Sequence, residues 1–281
     1  MKYMTFNSSC SYAGLANLLS FYGVDTEDRN IALEMGLPFL FDYESGRYYS
    51  GPMLQGEKWF NLYLKPIGYA ITEKEVRKEE LCAYLQGLKY AMLGIYVSEG
   101  NKHAVIYTGM KDGRLCMLNN KWEQTDEPDM LLLSKQDLSR RVDETAMVAV
   151  MNPCACETPE MESLLNRSAG VLQALGGEIV FFCAQKRSAV DIRLSMNTLF
   201  RAILLDGITM LDLIEETQIS AKLKTVQGQL MNAVKENKPL RLDQCLDIPL
   251  LNDAVAEYVD LIHTHVSARV NRQGKSTASS A

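Results

Sequence analysis

The sequence predicts an α+β domain built on an antiparallel sheet, followed by a mostly α-helical domain. Three observations carry this: an apolar helix signal that opens at Cys10, two β-rich runs flanking Asp112-Gly113, and helical periodicity that takes over after the segment Asn152 to Pro159. The division is expected at 1–152 for the α+β domain and 157–270 for the helical domain. The polar, small-residue stretch 271–281 is expected to be a disordered tail.

Taken in order, Asn7-Ser8-Ser9 offers amide and hydroxyl caps, and Leu15, Leu18, Leu19 and Tyr22 recur at helical spacing before Gly23 ends the run. Cys10 therefore falls in the first turn of a helix. There the helix N-terminus is expected to lower the thiol pKa, and uncommitted backbone N–H groups can hold an oxyanion. A helix is expected from about Glu73 to Gln86, a buried strand over Ala91 to Val97, and a strand over Ala146 to Met151. Beyond the boundary, Leu164, Leu165, Val171, Leu172 and Leu175 form a stripe that runs to Gly176-Gly177. Two more stripes follow: Leu223, Val226, Leu230 and Val234, then Leu251, Val255, Tyr258, Val259, Ile262 and Val266.

The segment from His103 to Asn119 carries the second half of the chemistry. Asp112-Gly113 between two β-rich runs is a hairpin signal, so His103 and the Asn119-Asn120 pair should lie on neighbouring strands. A strict two-residue turn would put Asn120 on the face of His103, whereas an extra turn residue or a bulge would bring Asn119 there. A Cys at a helix start, a His and a carboxamide in this order is the residue set of a thiol nucleophile with its base and orienting group. Singly, each residue has a structural reading; together, in a chain with 3 histidines, they point to catalysis.

The N-terminal half resembles the BtrH-type N-terminal domain of butirosin biosynthesis, a branch of the papain-like, C39-peptidase-like superfamily. The matching pieces are Ser9-Cys10-Ser11-Tyr12-Ala13-Gly14-Leu15-Ala16-Asn17-Leu18-Leu19-Ser20-Phe21-Tyr22-Gly23, Gly36-Leu37-Pro38-Phe39 and His103-Ala104-Val105-Ile106-Tyr107-Thr108-Gly109, within residues 5–120. The family places its orienting Asp or Asn sixteen residues after the His, which implies Asn119 here, and Asn119-Asn120-Lys121-Trp122 is similar to the Asn-Ser-Trp of papain-like proteases. The resemblance thus implies a papain-like (C39-like) domain with Cys10, His103 and Asn119 as catalytic residues. It also implies acyl transfer through a thioester acyl-enzyme, from an acyl thioester donor such as an acyl carrier protein to a small-molecule amine, in a biosynthetic pathway. A cysteine peptidase or amidohydrolase is the runner-up, and a non-catalytic papain-fold binding protein the alternative from another class. Two departures stand out. No Gln precedes Cys10 to serve as oxyanion donor, which leaves Asn7, Ser8, Ser9 and Cys10 as candidates, and Asn119-Asn120 replaces the family's Asp-Pro. In a papain-like layout the aromatic-rich segment would lie near the cleft, making Phe39, Phe41, Tyr43 and Trp59 candidates for a substrate pocket; core packing is the alternative.

At 281 residues and 47% apolar composition the chain can bury a substantial core, and a net charge of −6 with dispersed basic residues argues against a nucleic-acid partner. Its 7 cysteines are scattered, and the first residues lack the apolar core of a leader, so a cytoplasmic location is expected. His263 and His265 diverge on a helix, and Cys154-Ala155-Cys156 lacks a partner pair, so neither metal nor cofactor is expected. No membrane association is expected, and a homodimer is compatible with the apolar helical stripes.

Overall fold

The computed structural model describes the backbone of residues 1–278 and side chains through 268. The elements are α1 (Cys10–Ser20), α2 (Asp28–Glu34), the strands β1 (Phe41–Glu44) and β2 (Arg47–Ser50), α3 (Glu57–Leu64), β3 (Tyr69–Arg77), α4 (Lys78–Gln86), β4 (Ala91–Ser98), β5 (Asn101–Lys111), β6 (Arg114–Asn119), β7 (Met130–Leu133), α5 (Lys135–Arg140) and β8 (Thr145–Pro153). Helices follow: α6 (Met161–Cys183), α7 (Ala189–Ser195), α8 (Ile208–Leu213), α9 (Thr217–Lys235) and α10 (Ile248–Ala278). The expected tail at 271–281 lies outside the fully described residues.

Two compact units emerge, and they are not sequential: the first comprises 1–35 and 55–159, the second 36–54 and 160–281. Residues 36–54, assigned from sequence to the N-terminal domain, therefore belong with the helices.

The first unit is α+β. Its six strands pair antiparallel throughout in the order β3-β8-β4-β5-β6-β7. Alternation sends Leu93, Ile95, Val105, Tyr107, Leu115, Met117 and Val148 into a core with Leu81 and Leu85 of α4 and Leu138 of α5. Met92 points the other way, where Gly14 brings α1 close to the sheet. In this arrangement a helix that opens on a cysteine packs on an antiparallel sheet that carries the histidine and asparagine on adjacent strands.

One element departs from expectation. Glu73 to Arg77 is strand, not the first turns of a helix: β3 is an edge strand whose charged residues Glu73, Lys74 and Glu75 pair with Ala149, Val148 and Met147 of β8. Charged side chains are tolerated, and useful, on an edge whose other side meets water.

The second unit is helical apart from the β1–β2 hairpin and one two-residue strand pair. Phe41 N–H donates to Ser168 Oγ of α6 at 3.1 Å, and Tyr258 Oη of α10 donates to the Pro38 carbonyl at 2.7 Å. Helix α6 does not stop at Gly176-Gly177. Gly176 faces Val255 of α10, whose Cγ1 would lie 3.0 Å from an added Cβ, so the glycine admits a close helix crossing rather than ending the helix. Two π-helical turns, Met196–Phe200 and Ala202–Gly207, precede α8 and carry the buried Asp206 against Arg201. Among the described residues no single helix is long and apolar enough to cross a membrane.

Candidate active site

Cys10, His103, Asn119 and their neighbours lie in the first unit. The chain reaches Cys10 through a loop held by one buried carboxylate. Asp28, fully buried, accepts from the Thr5 N–H (2.8 Å), Thr5 Oγ1 (2.6 Å), Ser9 Oγ (2.7 Å) and the Arg29 N–H (2.7 Å). Ser9 is the N-cap residue of α1 but gives its hydroxyl to Asp28 and makes no side-chain cap. It is therefore part of the scaffold and not the oxyanion donor it was a candidate for, while Asn7 and Ser8 are exposed, the latter at φ +61°.

The Cys10 thiol is faced by the backbone N–H groups of Ala104, Ser11 and Cys10 itself, each of which favours the thiolate. Burial outweighs them, and the thiol pKa lies above its ordinary value. The helix-terminus effect anticipated from sequence is present but loses to desolvation. Ser11 Oγ, next in the chain, is buried with no hydrogen-bond partner and was not singled out from sequence.

His103 lies on β5, beside the Ala104 peptide that faces the thiol, and its Nδ1 is 3.2 Å from Asn119 Oδ1 on β6. A β-bulge brings this about. Lys111 pairs with Arg114 across the turn, but the register shifts between Tyr107 and Gly109, so Val105 pairs with Asn119 rather than Asn120. Gly109 takes φ +122° there, a conformation that side chains rarely permit. Asn120 faces the other way. Its Nδ2 donates to the Ala104 carbonyl at 2.9 Å, and its Oδ1 accepts from Asn17 Nδ2 of α1 at 2.9 Å, tying that helix to β5. The two asparagines serve opposite faces of one strand.

The orientation of Asn119 follows from its neighbours. Its Nδ2 donates to Glu127 Oε2 (3.1 Å) and to the Pro128 carbonyl (3.3 Å), both acceptors, so Oδ1 is left to accept from His103 Nδ1–H. That tautomer leaves Nε2 as the free base. Glu127, 3.7 Å from His103 Nδ1 through Oε2, was missed from sequence; the acidic loop running from Glu123 to Asp129 directly after Asn119 was the available signal.

The aromatic candidates fare differently. Phe39 stacks on His265 with centroids 3.9 Å apart, and Phe41 meets the Tyr258 ring edge-on at 5.3 Å, so both are core residues of the second unit. Tyr43 packs on Tyr48 in the same hairpin, and Trp59 is buried on α3 of the first unit. Phe39, Phe41 and Trp59 are all buried, as the core-packing alternative expects.

Fold and site together define an α+β domain with a half-buried thiol at a helix start and a histidine-asparagine pair on adjacent strands. No protein-family model matches the chain, and no curated protein matches it. Among solved structures the chain is similar to the peptidase domain of Streptococcus ComA, a bifunctional ABC transporter involved in quorum sensing, with TM-score 0.39 and 12% identity over 54% of this chain and 96% of that one.

Proposed function

We propose that the first unit is a cysteine-dependent acyltransferase that works through a thioester acyl-enzyme, with an acyl thioester as donor, such as one carried on an acyl carrier protein, and a small amine as acceptor. The observation that supports it most is the His103–Asn119 pair, with the imidazole held so that Nε2 is the base, one residue from Ala104, whose backbone N–H faces the Cys10 thiol. The likeness of the Cys10 and His103 segments to BtrH-type domains directs the reading to transfer rather than hydrolysis.

Because burial keeps Cys10 protonated, the thiol is activated as it reacts. His103 Nε2 takes the Sγ proton while sulfur attacks the acyl carbonyl carbon. The oxyanion is held by the Cys10 and Ser11 N–H groups at the start of α1. Collapse breaks the bond to the donor sulfur, which leaves with the proton from His103. The amine then attacks the acyl-enzyme and gives its proton to His103, and Cys10 regains that proton as the amide departs.

The test is intact-mass and peptide mapping after incubation with acyl-N-acetylcysteamine thioesters. The expected result is one acyl adduct on Cys10, absent in Cys10→Ala and discharged faster by added amine than by water. Because Cys154, Cys156 and Cys245 are exposed, peptide-level assignment is required. An adduct that persists in Cys10→Ala would refute the assignment.

A further inference from the structure

We propose that Glu127 is a positioning residue of this site, which rests on the reading above: it fixes the Asn119 amide and supplies, through space, the negative charge that an asparagine cannot. An asparagine in the orienting position can hold the imidazole tautomer but gives little stabilisation to imidazolium. The missing charge sits one residue further out. Glu127 Oε2 accepts from Asn119 Nδ2 at 3.1 Å and lies 3.7 Å from His103 Nδ1, while Oε1 accepts from Asn101 Nδ2 at 3.3 Å.

The backbone around it is built to keep it there. Pro128 restricts Glu127 to extended conformations, and the Asn119 N–H donates to the Asp129 carbonyl at 2.8 Å, so the loop returns alongside β6. The side chains of His103 and Glu127 are 17% and 30% exposed, which limits the solvent screening between them. Other charges nearby have partners of their own: Lys102 pairs with Asp143, and Lys121 with Asp129. The β4 residue opposite His103 is the apolar Ile95, and the Cys10 thiol lies at the adjoining Ala104 peptide.

The sign of the effect follows. A carboxylate beside His103 favours imidazolium, the form the base takes in the transition state. Without it, the imidazolium formed during reaction is less stabilised. Alkylation of Cys10 by chloroacetamide, read on its peptide by mass spectrometry across pH 5–9, needs no substrate and so separates this proposal from the acyltransferase reading. In Glu127→Gln the plateau rate is expected to fall roughly tenfold. Asn101→Ala should lower it by less. Asn119→Asp combined with Glu127→Gln, which moves the charge inward by one residue, should restore most of the plateau. A Glu127→Gln profile superimposable on the wild type, or no recovery in the double variant, would overturn the proposal.

Discussion

Replacing Asp28 should loosen the nucleophile without touching it. The carboxylate accepts four hydrogen bonds, and Asp28→Ala leaves the buried Ser9 hydroxyl without its acceptor, while the N–H and hydroxyl of the exposed Thr5 can turn to water. At roughly 1–3 kcal/mol for one buried donor left unpaired, the loss is about 2 kcal/mol, a sizeable part of the 5–15 kcal/mol that ordinarily separates folded from unfolded domains. Asp28→Asn keeps one oxygen and turns a donor toward groups that are themselves donors, so about 1 kcal/mol is expected. Urea unfolding followed by circular dichroism measures both, and peptide-resolved alkylation of Cys10 should accelerate as the Thr5 to Ser9 loop opens. A loss below 1 kcal/mol for Asp28→Ala with an unchanged denaturant slope would mean that the loop is held by something other than this carboxylate.

Two further outcomes follow from the structure. Gly14→Ala places a methyl 2.7 Å from Asn120 Nδ2 and 2.8 Å from Met92 Sδ; the thioether can move but the amide is fixed at both ends, so overpacking should outweigh the helix gain and cost about 1 kcal/mol net, relieved when Asn120→Ala is added. In the second unit, burial raises the Asp206 pKa to about 6 against the opposing pull of Arg201, so the folded state binds this proton more tightly than the unfolded chain. That stability is present below about pH 4 and lost as pH rises through about 6; relative to Asp206→Asn, the wild type should lose roughly 2–3 kcal/mol between pH 4 and 7, and parallel stability curves for the two would contradict it.

The parts of the site that were legible in the sequence are those encoded locally. Helical spacing after Cys10 places the thiol in a first turn, and Asp112-Gly113 brings His103 near the asparagine pair because a hairpin joins residues close in the chain. Which asparagine turns inward depends on a single bulge at Gly109, and no periodicity distinguishes that glycine from any other. Glu127 escaped notice because its role depends on how an irregular loop folds back, and the thiol pKa because burial is a property of the whole fold. Glu73 to Arg77 reads as helix by its charges, yet edge position rather than propensity decides its structure. For Phe39 and Phe41 the sequence leaves cleft and core packing open, because the rings they pack against, His265 and Tyr258, come more than two hundred residues later and no local pattern announces them.

That last separation has a bearing on how the protein is made. Pro38, Phe41 and Ser50 leave the ribosome well before Tyr258, Ser168 and Ala202, which follow them by 220, 127 and 152 residues. The hairpin must wait, unpartnered, while the whole sheet of the first unit is synthesised after it, and the second unit can close only once the last long helix has emerged. Long-range closure of this kind is slow and exposes apolar surface in the interval. A chain cut near residue 152 would carry that waiting hairpin with nothing to receive it, so premature termination should yield an aggregation-prone fragment rather than a free-standing sheet domain.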